Sequence, residues 1–320
     1  MSTTTTGKPI KLDSTGARQA ARPSSLWMDS MHYLFRNRLA VIGMAIILLL
    51  IIIALFAPTI ATYDPLQPMI GVPGHTGRLQ AKAPCIHLLG CPAEEVEHYL
   101  GLDLNARDVF SRIVYGSRVS LLVGFLAVTF SIVVGTMLGM ISGYVGHWVD
   151  NLIMRFMDVL MAFPSLLLAI VIVTVLGPGL QNALLAISIV SIPVYARLAR
   201  AQVLAVKEYE YITANRALGA GPIRILFVHI FPNSLTPLIV QGTLGIGGAV
   251  LEAAALSFIG LGAQPPDPEW GAMLSEARSY VFTAPHMVFF PGFAIMITVL
   301  GFNLLGDGMR DALDPRLNRI

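Results

Sequence analysis

Long apolar runs with few or no charges alternate with polar stretches of varied length along this chain of 320 residues. These runs occupy 39–58, 119–146, 159–196, 234–256 and 279–306. About 20 apolar residues in helical conformation cross the hydrocarbon core of a bilayer. The run 159–196 is nearly twice that long, and Gly177-Pro178-Gly179 lies near its middle. We therefore predict an all-α polytopic fold with six membrane-spanning helices, two of which come from the longest run.

Composition agrees with this pattern, because 55% of the residues are hydrophobic, only 12% are charged, and the mean hydropathy is +0.70. Soluble domains carry about 25% charged residues, so an ordinary soluble protein is excluded. The sole Gly-Lys pair, in Gly7-Lys8-Pro9, lacks the first glycine of a Walker A loop and the strand before it. We predict that this chain has no catalytic residue and binds neither a cofactor nor a metal.

The polar segments complete the predicted organisation. Fifteen of the 21 Lys and Arg residues lie in the two tails, near residue 155 and in 197–233. By the positive-inside rule, these regions are cytoplasmic, including both termini. The predicted order is a tail with an interfacial amphipathic helix at 26–35 (1–38), the first span (39–58), an extracytoplasmic loop (59–115), a five-helix core with a loop at 200–233 (116–308), and a cytoplasmic tail (309–320).

Both cysteines of the chain, Cys85 and Cys91, lie in the 59–115 loop. An oxidising exterior permits a disulfide, so we predict that they pair, with two unlinked thiols as the alternative. A zinc site is disfavoured, because the nearby His75, His87 and His98 do not have a familiar zinc-ligand spacing.

Glycines recur on two of the predicted spans. Small residues four apart share one helix face and let two helices approach closely. We predict such packing for Gly135, Gly139 and Gly143 in the second span and for Gly242, Gly245, Gly247 and Gly248 in the fifth. Pro164 and Pro193 are candidate kinks in the third and fourth spans.

A charged segment separates the fourth and fifth spans, with seven charged residues between Arg197 and Arg224. Placing each of them at mid-bilayer costs roughly 3 kcal/mol, or about 20 kcal/mol together, so the segment lies outside the membrane. Gly219 suits the left-handed position that ends a helix, and Pro222 suits the first turn of the next one. Pro232 is predicted to end the unit. The pattern predicts a two-helix knob that protrudes from the membrane.

The stretch from Thr213 to Gly219, with Ile223, His229 and Phe231-Pro232-Asn233, resembles the "EAA" loop of bacterial ABC importer membrane subunits. Thr213 stands where that family usually has Glu, and Asn215 where it usually has Ala. In the family, this loop is the coupling helix, which docks into a cleft on a separate ATPase subunit. The resemblance implies ATPase coupling by Glu208, Glu210, Thr213, Ala214, Asn215, Arg216, Gly219, Ile223 and Pro232.

Two other stretches resemble the dipeptide and oligopeptide branch of this family. Residues 101–121 look like the segment that leads into its second span, and GDGMRDALDPRLNRI looks like its C-terminal motif. Asn105-Ala106 replaces the usual Leu-Gly of the first motif. Its matching positions are Asp103, Arg107, Asp108, Ser111, Arg112, Tyr115, Gly116, Arg118 and Ser120. From about residue 26 to the end, the chain resembles the C-type permease subunit of dipeptide/oligopeptide importers.

The resemblance implies an inner-membrane type I permease that forms half of a translocation pathway. Its implied partners are a second homologous permease, two ATPase subunits that bind ATP and Mg, an extracytoplasmic substrate-binding protein, lipid and a peptide substrate, with no nucleic acid. Permeases for nickel, glutathione or opines share these motifs and remain alternatives. An ion-coupled secondary transporter and a non-transporting membrane scaffold are the alternatives from other classes.

Asp158 and Glu252 are candidates for a structural or pathway role. Asp158 lies three residues after Arg155, so the two can pair on one helix face. Glu252 is the one acid in the run 234–256, and an acid within a span is a functional hypothesis by default. The surrounding LEAAALSFIGLG resembles the family's EAALSFLGLG stretch, which favours a structural role near the outer rim. A secondary transporter would be expected to carry more intramembrane charges than these.

Overall fold

The computed structural model describes residues 34–75, 77 and 79–313. The predicted tail at 1–25, most of the predicted interfacial helix and the last seven residues lie outside the described residues. Within that part of the chain, five helices are long and apolar enough to cross a bilayer, and a sharply bent helix pair would make a sixth span. The prediction of an all-α polytopic fold is confirmed.

The helices follow one another with short connections, apart from one long loop between α2 and α3. Their bounds are α1 Arg38–Leu55, α2 Ala57–Ile60, α3 Val109–Val145, α4 His147–Met161, α5 Ser165–Leu176, α6 Leu180–Val206, α7 Glu210–Ala217, α8 Pro222–Phe258, α9 Trp270–Ala277 and α10 His286–Leu313. Helix α3 begins at Val109, well before the apolar run at 119. The last part of the polar segment that leads into that run is therefore helical.

The most extensive helix contact in the bundle joins α3 and α6. Three glycines of α3 line this contact: Gly135, Gly139 and Gly143. A Cβ atom on Gly135 would lie only 2.7 Å from the carbonyl oxygen of Ile192, and one on Gly139 would overlap that of Ala196. The predicted packing role of this stripe is confirmed. The absent side chains let the two backbones come together.

The second predicted glycine set is confirmed in part. On α8, Gly242 faces Ile132, Gly245 faces Tyr195 and Gly247 faces Phe302. Gly248 has no atom within 4 Å of its Cβ position, so its predicted packing role is wrong. It is exposed because it follows Gly247 directly and therefore points away from the face that Gly247 buries.

The third span is a broken helix rather than a straight one. Helix α5 has 12 residues and is about 18 Å long, short of the roughly 30 Å of a bilayer core. It meets α4 at a bend of 92°, and Pro164 stands directly before the first residue of α5. The predicted kink at Pro164 is therefore confirmed. The segment 147–155, which lies between the second and third apolar runs, is helical as part of α4.

Helix α8 runs through Pro232, so the prediction that this proline ends the unit is wrong. Residues Ile225–Ile230 form a π-helical turn, in which the N–H of Phe231 bonds to the carbonyl oxygen of Leu226. This wider turn changes the hydrogen-bond pattern just before the proline, which itself has no N–H to donate. The helix therefore continues unbroken to Phe258.

Contacts between helix ends establish which of them lie at the same end of the bundle. Asn37 at the start of α1 bonds to Asp311 near the end of α10, at 3.4 Å. Lys207 after α6 reaches the carbonyl oxygen of Gly143 near the end of α3, also at 3.4 Å. The opposite ends of α1 and α3 meet where Arg118 donates to the carbonyl oxygen of Leu55. The segment between α6 and α8 thus lies at the same end as the start of α1.

A buried charge network fixes the segment that leads into α3 at the other end of the bundle. Arg107 contacts Asp103 and Glu276 of α9, each at 2.7 Å. Arg112 is fully buried and lies 3.6 Å from Asp103 and 3.7 Å from Glu276. These contacts, together with the bond from the Trp270 indole to the carbonyl oxygen of Ile113, hold α9 against α3. The residues that resemble the dipeptide branch therefore build the junction of two structural elements.

Candidate functional site

The segment between α6 and α8 forms a compact knob, defined here as residues 207–221 together with the first turns of α8. The predicted loop at 200–233 extends further on both sides, because α6 continues to Val206 and α8 begins at Pro222. Arg197 and Arg200, two of the charges that mark the segment in the sequence, consequently belong to α6.

The turn in the knob has a Schellman geometry around Gly219. Its φ is +84°, the left-handed conformation that glycine adopts without steric cost. The N–H of Gly219 bonds to the carbonyl oxygen of Arg216, and that of Ala220 bonds to Asn215, at 2.9 and 3.0 Å. Pro222 then occupies the first turn of α8 after Gly221. The predicted helix, glycine turn and second helix are confirmed.

The inner face of the knob is anchored to three long helices. Ile212 of α7 is fully buried in an apolar cluster with residues of α3, α6 and the first turns of α8. The other buried members of that cluster are Met140, Val203, Val206, Ile225 and Ile230. Through this cluster α7 packs directly against α3, α6 and α8.

Polar contacts reinforce this anchoring. Asn233 donates to the carbonyl oxygen of His229 at 2.6 Å and to the Tyr211 hydroxyl at 3.2 Å, which connects α8 with α7. Burial, followed by the neighbouring Tyr209, raises the pKa of the Tyr211 phenol. The phenol therefore stays neutral at physiological pH. Lys207 extends the connection to α3 through its bond to Gly143.

The outer face of the knob is open to solvent. Eight of the nine residues predicted to contact an ATPase are exposed, and Asn215 is half-buried. The exposed eight are Glu208, Glu210, Thr213, Ala214, Arg216, Gly219, Ile223 and Pro232. Seven of them lie in the knob around its turn, whereas Pro232 lies further along α8.

Apolar side chains flank the turn on this open face. Leu218 is 86% exposed and Ile223 is 74% exposed, although both are large and apolar. Sequence reasoning selected Ile223 but not Leu218, which directly follows α7. Exposed apolar groups rimmed by charges are typical of protein–protein contact surfaces.

The charges of the knob are available to a binding partner. Within the described part of the chain, Glu208, Glu210, Arg216 and Arg224 form no salt bridge. The surface therefore combines two large apolar groups with charges of both signs. This arrangement suits docking of a folded protein.

Two ion pairs hold α4 against α6 close to the knob. Arg200 makes a bidentate contact with Asp150, at 2.6 and 2.5 Å. Asp158 pairs with Arg197 at 2.5 Å, so the predicted partner Arg155 is wrong. Bending of the chain at Pro164 and the turn at Gly146 lay α4 alongside α6, and sequence spacing alone does not reveal that contact. Asp158 thus has a structural position between two helices.

Glu252 lies near the end of α8 that is opposite the knob, and it is half-buried. Leu251 and Ala255 on either side of it line an apolar groove with a cavity volume of about 360 Å³. Asp158, in contrast, pairs with Arg197 of α6, so the two acids have different surroundings. The structure does not bring them to the knob either.

The chain matches two families of transport-system membrane domains. A family described as "Binding-protein-dependent transport system inner membrane component" matches residues 135–319, and "N-terminal TM domain of oligopeptide transport permease C" matches residues 25–71. In fold, the chain is similar to a chain of the MetNI methionine ABC transporter crystallised in inward-facing conformations. The TM-score is 0.52 at 21% identity, covering 64% of this chain and 97% of that one.

Curated relatives match nearly the whole chain. The dipeptide transport system permease protein DppC of Alkalihalophilus pseudofirmus is 51% identical over 295 residues, covering 92% of this chain and 91% of that protein. DppC of Haemophilus influenzae is 46% identical over 297 residues, covering 93% and 97%. The glutathione transport system permease protein GsiD of Pectobacterium atrosepticum is 44% identical over 291 residues, covering 91% of each.

Proposed function

Because the chain belongs to the family of binding-protein-dependent transport system inner membrane components, we propose that it is a permease subunit of an ATP-driven importer of di- and oligopeptides. The single observation that carries this proposal is the knob, whose buried inner face is fixed to three long helices while its outer face is open for docking. Relatives named as dipeptide permeases support the substrate class.

The knob transmits movement from a separate ATPase to the membrane helices. ATP and Mg bind to two such ATPase subunits, whose closure pulls on Leu218, Ile223 and the charges around them. Ile212 and its cluster pass the displacement to α3, α6 and α8. Helix α4 moves with α6 because Arg197 and Arg200 hold Asp158 and Asp150. The chain supplies half of the pathway and no hydrolytic group.

The complete importer contains this permease, a second homologous permease, two ATPase subunits and an extracytoplasmic substrate-binding protein. The knob and both termini face the cytoplasm of a bacterial cell, and the loop between α2 and α3 faces outward. The concentration of Lys and Arg at the knob end of the bundle supports this orientation.

Two measurements test the proposal. The complex is purified through a tag on this chain, and its components are identified by mass spectrometry. Uptake of a labelled dipeptide is then measured in proteoliposomes that contain the complex and its binding protein, with and without ATP. We expect an ATPase to co-purify and uptake to require ATP hydrolysis. ATP-independent uptake that an ionophore abolishes would instead identify an ion-coupled transporter.

The relative named as a glutathione permease favours a second candidate substrate. The same vesicles distinguish the two, since unlabelled glutathione added in excess inhibits dipeptide uptake only if the system accepts it. Replacing the co-purified binding protein by one from a dipeptide system separates the contribution of the permease from that of the binding protein.

A further inference from the structure

Two histidines of the loop between α2 and α3 meet in the structure, although they are 23 positions apart. Nε2 of His75 lies 3.1 Å from Nε2 of His98. His98 is buried, whereas His75 is partly exposed, so the pair is reachable from the surface. The ring of Tyr63 packs beside both imidazoles.

The hydrogen-bond partners of the two Nδ1 atoms indicate which nitrogen of each ring can carry the proton. Nδ1 of His98 lies 2.9 Å from Oδ1 of Asp108, and Nδ1 of His75 lies 3.4 Å from the carbonyl oxygen of Pro73. A carbonyl oxygen and a carboxylate oxygen accept hydrogen bonds, so each Nδ1 is placed to donate one. When both ring protons are on Nδ1, both Nε2 atoms offer lone pairs to the space between the rings, where a cation can accept them.

Asp108 adds a negative charge that favours a cation here. Its side chain is fully buried, and its Oδ1 atom lies 2.9 Å from Nδ1 of His98. The other carboxylate oxygen accepts bonds from the backbone N–H and the hydroxyl of Ser111, both at 2.8 Å. A carboxylate bonded to the far nitrogen of an imidazole is the usual support of a metal-binding histidine, because it orients the ring and raises its basicity.

We propose that His75 and His98 bind one divalent transition-metal ion, such as Cu²⁺ or Zn²⁺, through their Nε2 atoms, with water as the remaining ligands. Two nitrogens bound at about 2.0–2.1 Å lie about 2.9 Å apart in square-planar and about 3.4 Å apart in tetrahedral coordination. The observed 3.1 Å falls between these values. Mg²⁺ and Ca²⁺ prefer oxygen ligands and do not suit the pair.

A neighbouring cluster does not offer the same chemistry. Cys85, Cys91 and Glu95 bring three potential ligand atoms together in the same loop. The two sulfurs are bonded to each other, however, and a disulfide lacks the thiolates that bind metals. Among the described residues of this loop, the histidine pair is therefore the candidate metal site. Because Asp108 also caps the first turn of α3, metal binding would tie the turn at 72–75 to that helix.

His87 provides a matched control, since it lies in the same loop but its Nε2 bonds to the carbonyl oxygen of Glu95 at 2.7 Å. The full-length chain, with any co-purifying subunits, is prepared in detergent through a tag that contains no histidine. Cu²⁺ and Zn²⁺ are titrated into wild type, His75→Ala and His87→Ala. We expect His75→Ala to weaken Cu²⁺ binding at least about tenfold, and His87→Ala to leave it unchanged.

Electron paramagnetic resonance of the Cu²⁺ form supplies a second readout. Its hyperfine pattern should report two nitrogen ligands in wild type and one in His75→Ala. Equal thermal unfolding midpoints of the metal-free proteins exclude a folding defect, which is not expected because His75 is partly exposed. No saturable binding below about 100 μM, or equal binding by wild type and His75→Ala, overturns the proposal. A proton shared by the two rings would then explain the contact.

Discussion

At the scale of single residues, the knob depends on the backbone conformation of one glycine. Gly219 has a φ of +84°, whereas Gly221 has a φ of −70°. No atom lies within 4 Å of the Cβ position of either residue. The two glycines therefore differ in backbone conformation but not in the space around them, which allows a controlled comparison.

Gly219→Val should weaken coupling without preventing membrane insertion. A β-branched residue in the left-handed region costs about 1–2 kcal/mol and redirects the start of α8. We expect normal membrane expression, reduced co-purification of an ATPase and reduced substrate-stimulated ATP hydrolysis. Gly221→Val is the control, because its extended conformation before Pro222 accepts β-branched residues. Full coupling in Gly219→Val would mean that the knob is not the docking element.

A second residue-scale prediction concerns the cysteines, which are joined in the structure with their Cα atoms 5.4 Å apart. Non-reduced peptides from protein made in its native host should show the Cys85–Cys91 link by mass spectrometry. Cys91→Ser should lower the free energy of unfolding by about 2 kcal/mol at most, because the bond closes a short loop. Two free thiols in the native protein would refute the disulfide.

At the scale of elements, the contact of α3 with α6 depends on backbone proximity. Gly139 of α3 lies directly against the carbonyl of Ala196, whereas Gly248 of α8 faces open space. Both residues lie within helices, so alanine is equally compatible with their backbone conformation. The two positions differ only in whether another atom lies close to the added Cβ.

Gly139→Ala should therefore destabilise the protein by about 1–3 kcal/mol through overpacking, while Gly248→Ala should not. The measurement is the thermal unfolding midpoint of the two purified variants in the same detergent. A lower midpoint is expected for Gly139→Ala alone. Equal midpoints would show that α3 and α6 separate easily, contrary to the packing described above.

At the scale of the whole molecule, the knob, the start of α1 and the end of α10 share one end of the bundle. The Asn37–Asp311, Lys207–Gly143 and Arg118–Leu55 contacts together establish this arrangement without reference to charge. The excess of Lys and Arg at that end supports the proposal that it faces the cytoplasm. The structure thus shows which segments share an end of the bundle, and the charge pattern bears on which side of the membrane that end faces.

Thiol labelling of intact cells checks the orientation. Cys85 and Cys91 are replaced by Ser, and single cysteines are introduced as Glu208→Cys in the knob and Glu94→Cys in the long loop. Both glutamates are exposed in the structure. An impermeant reagent should label Glu94→Cys and leave Glu208→Cys unlabelled until the membrane is opened. Labelling of Glu208→Cys in intact cells would reverse the topology.

The sequence by itself determined the features that depend on local chemistry. Apolar runs of sufficient length predict the spans, because each span satisfies its own backbone hydrogen bonds and needs only apolar surface toward lipid. Gly219 and Pro222 predict the turn of the knob, because the conformational limits of these residue types act within a few positions. The exposed residues around that turn followed from the resemblance of this segment to a known loop.

Only the tertiary structure decided which distant groups meet. Asp158 pairs with Arg197, 39 positions away, and Arg107 pairs with Glu276, 169 positions away. Neither partner follows from spacing, since both depend on where bent or irregular segments lie against other helices. The same holds for His75 and His98, whose facing nitrogens result from the path of the long loop. Periodicity along one element carries no information about such meetings, because they are determined by packing between elements.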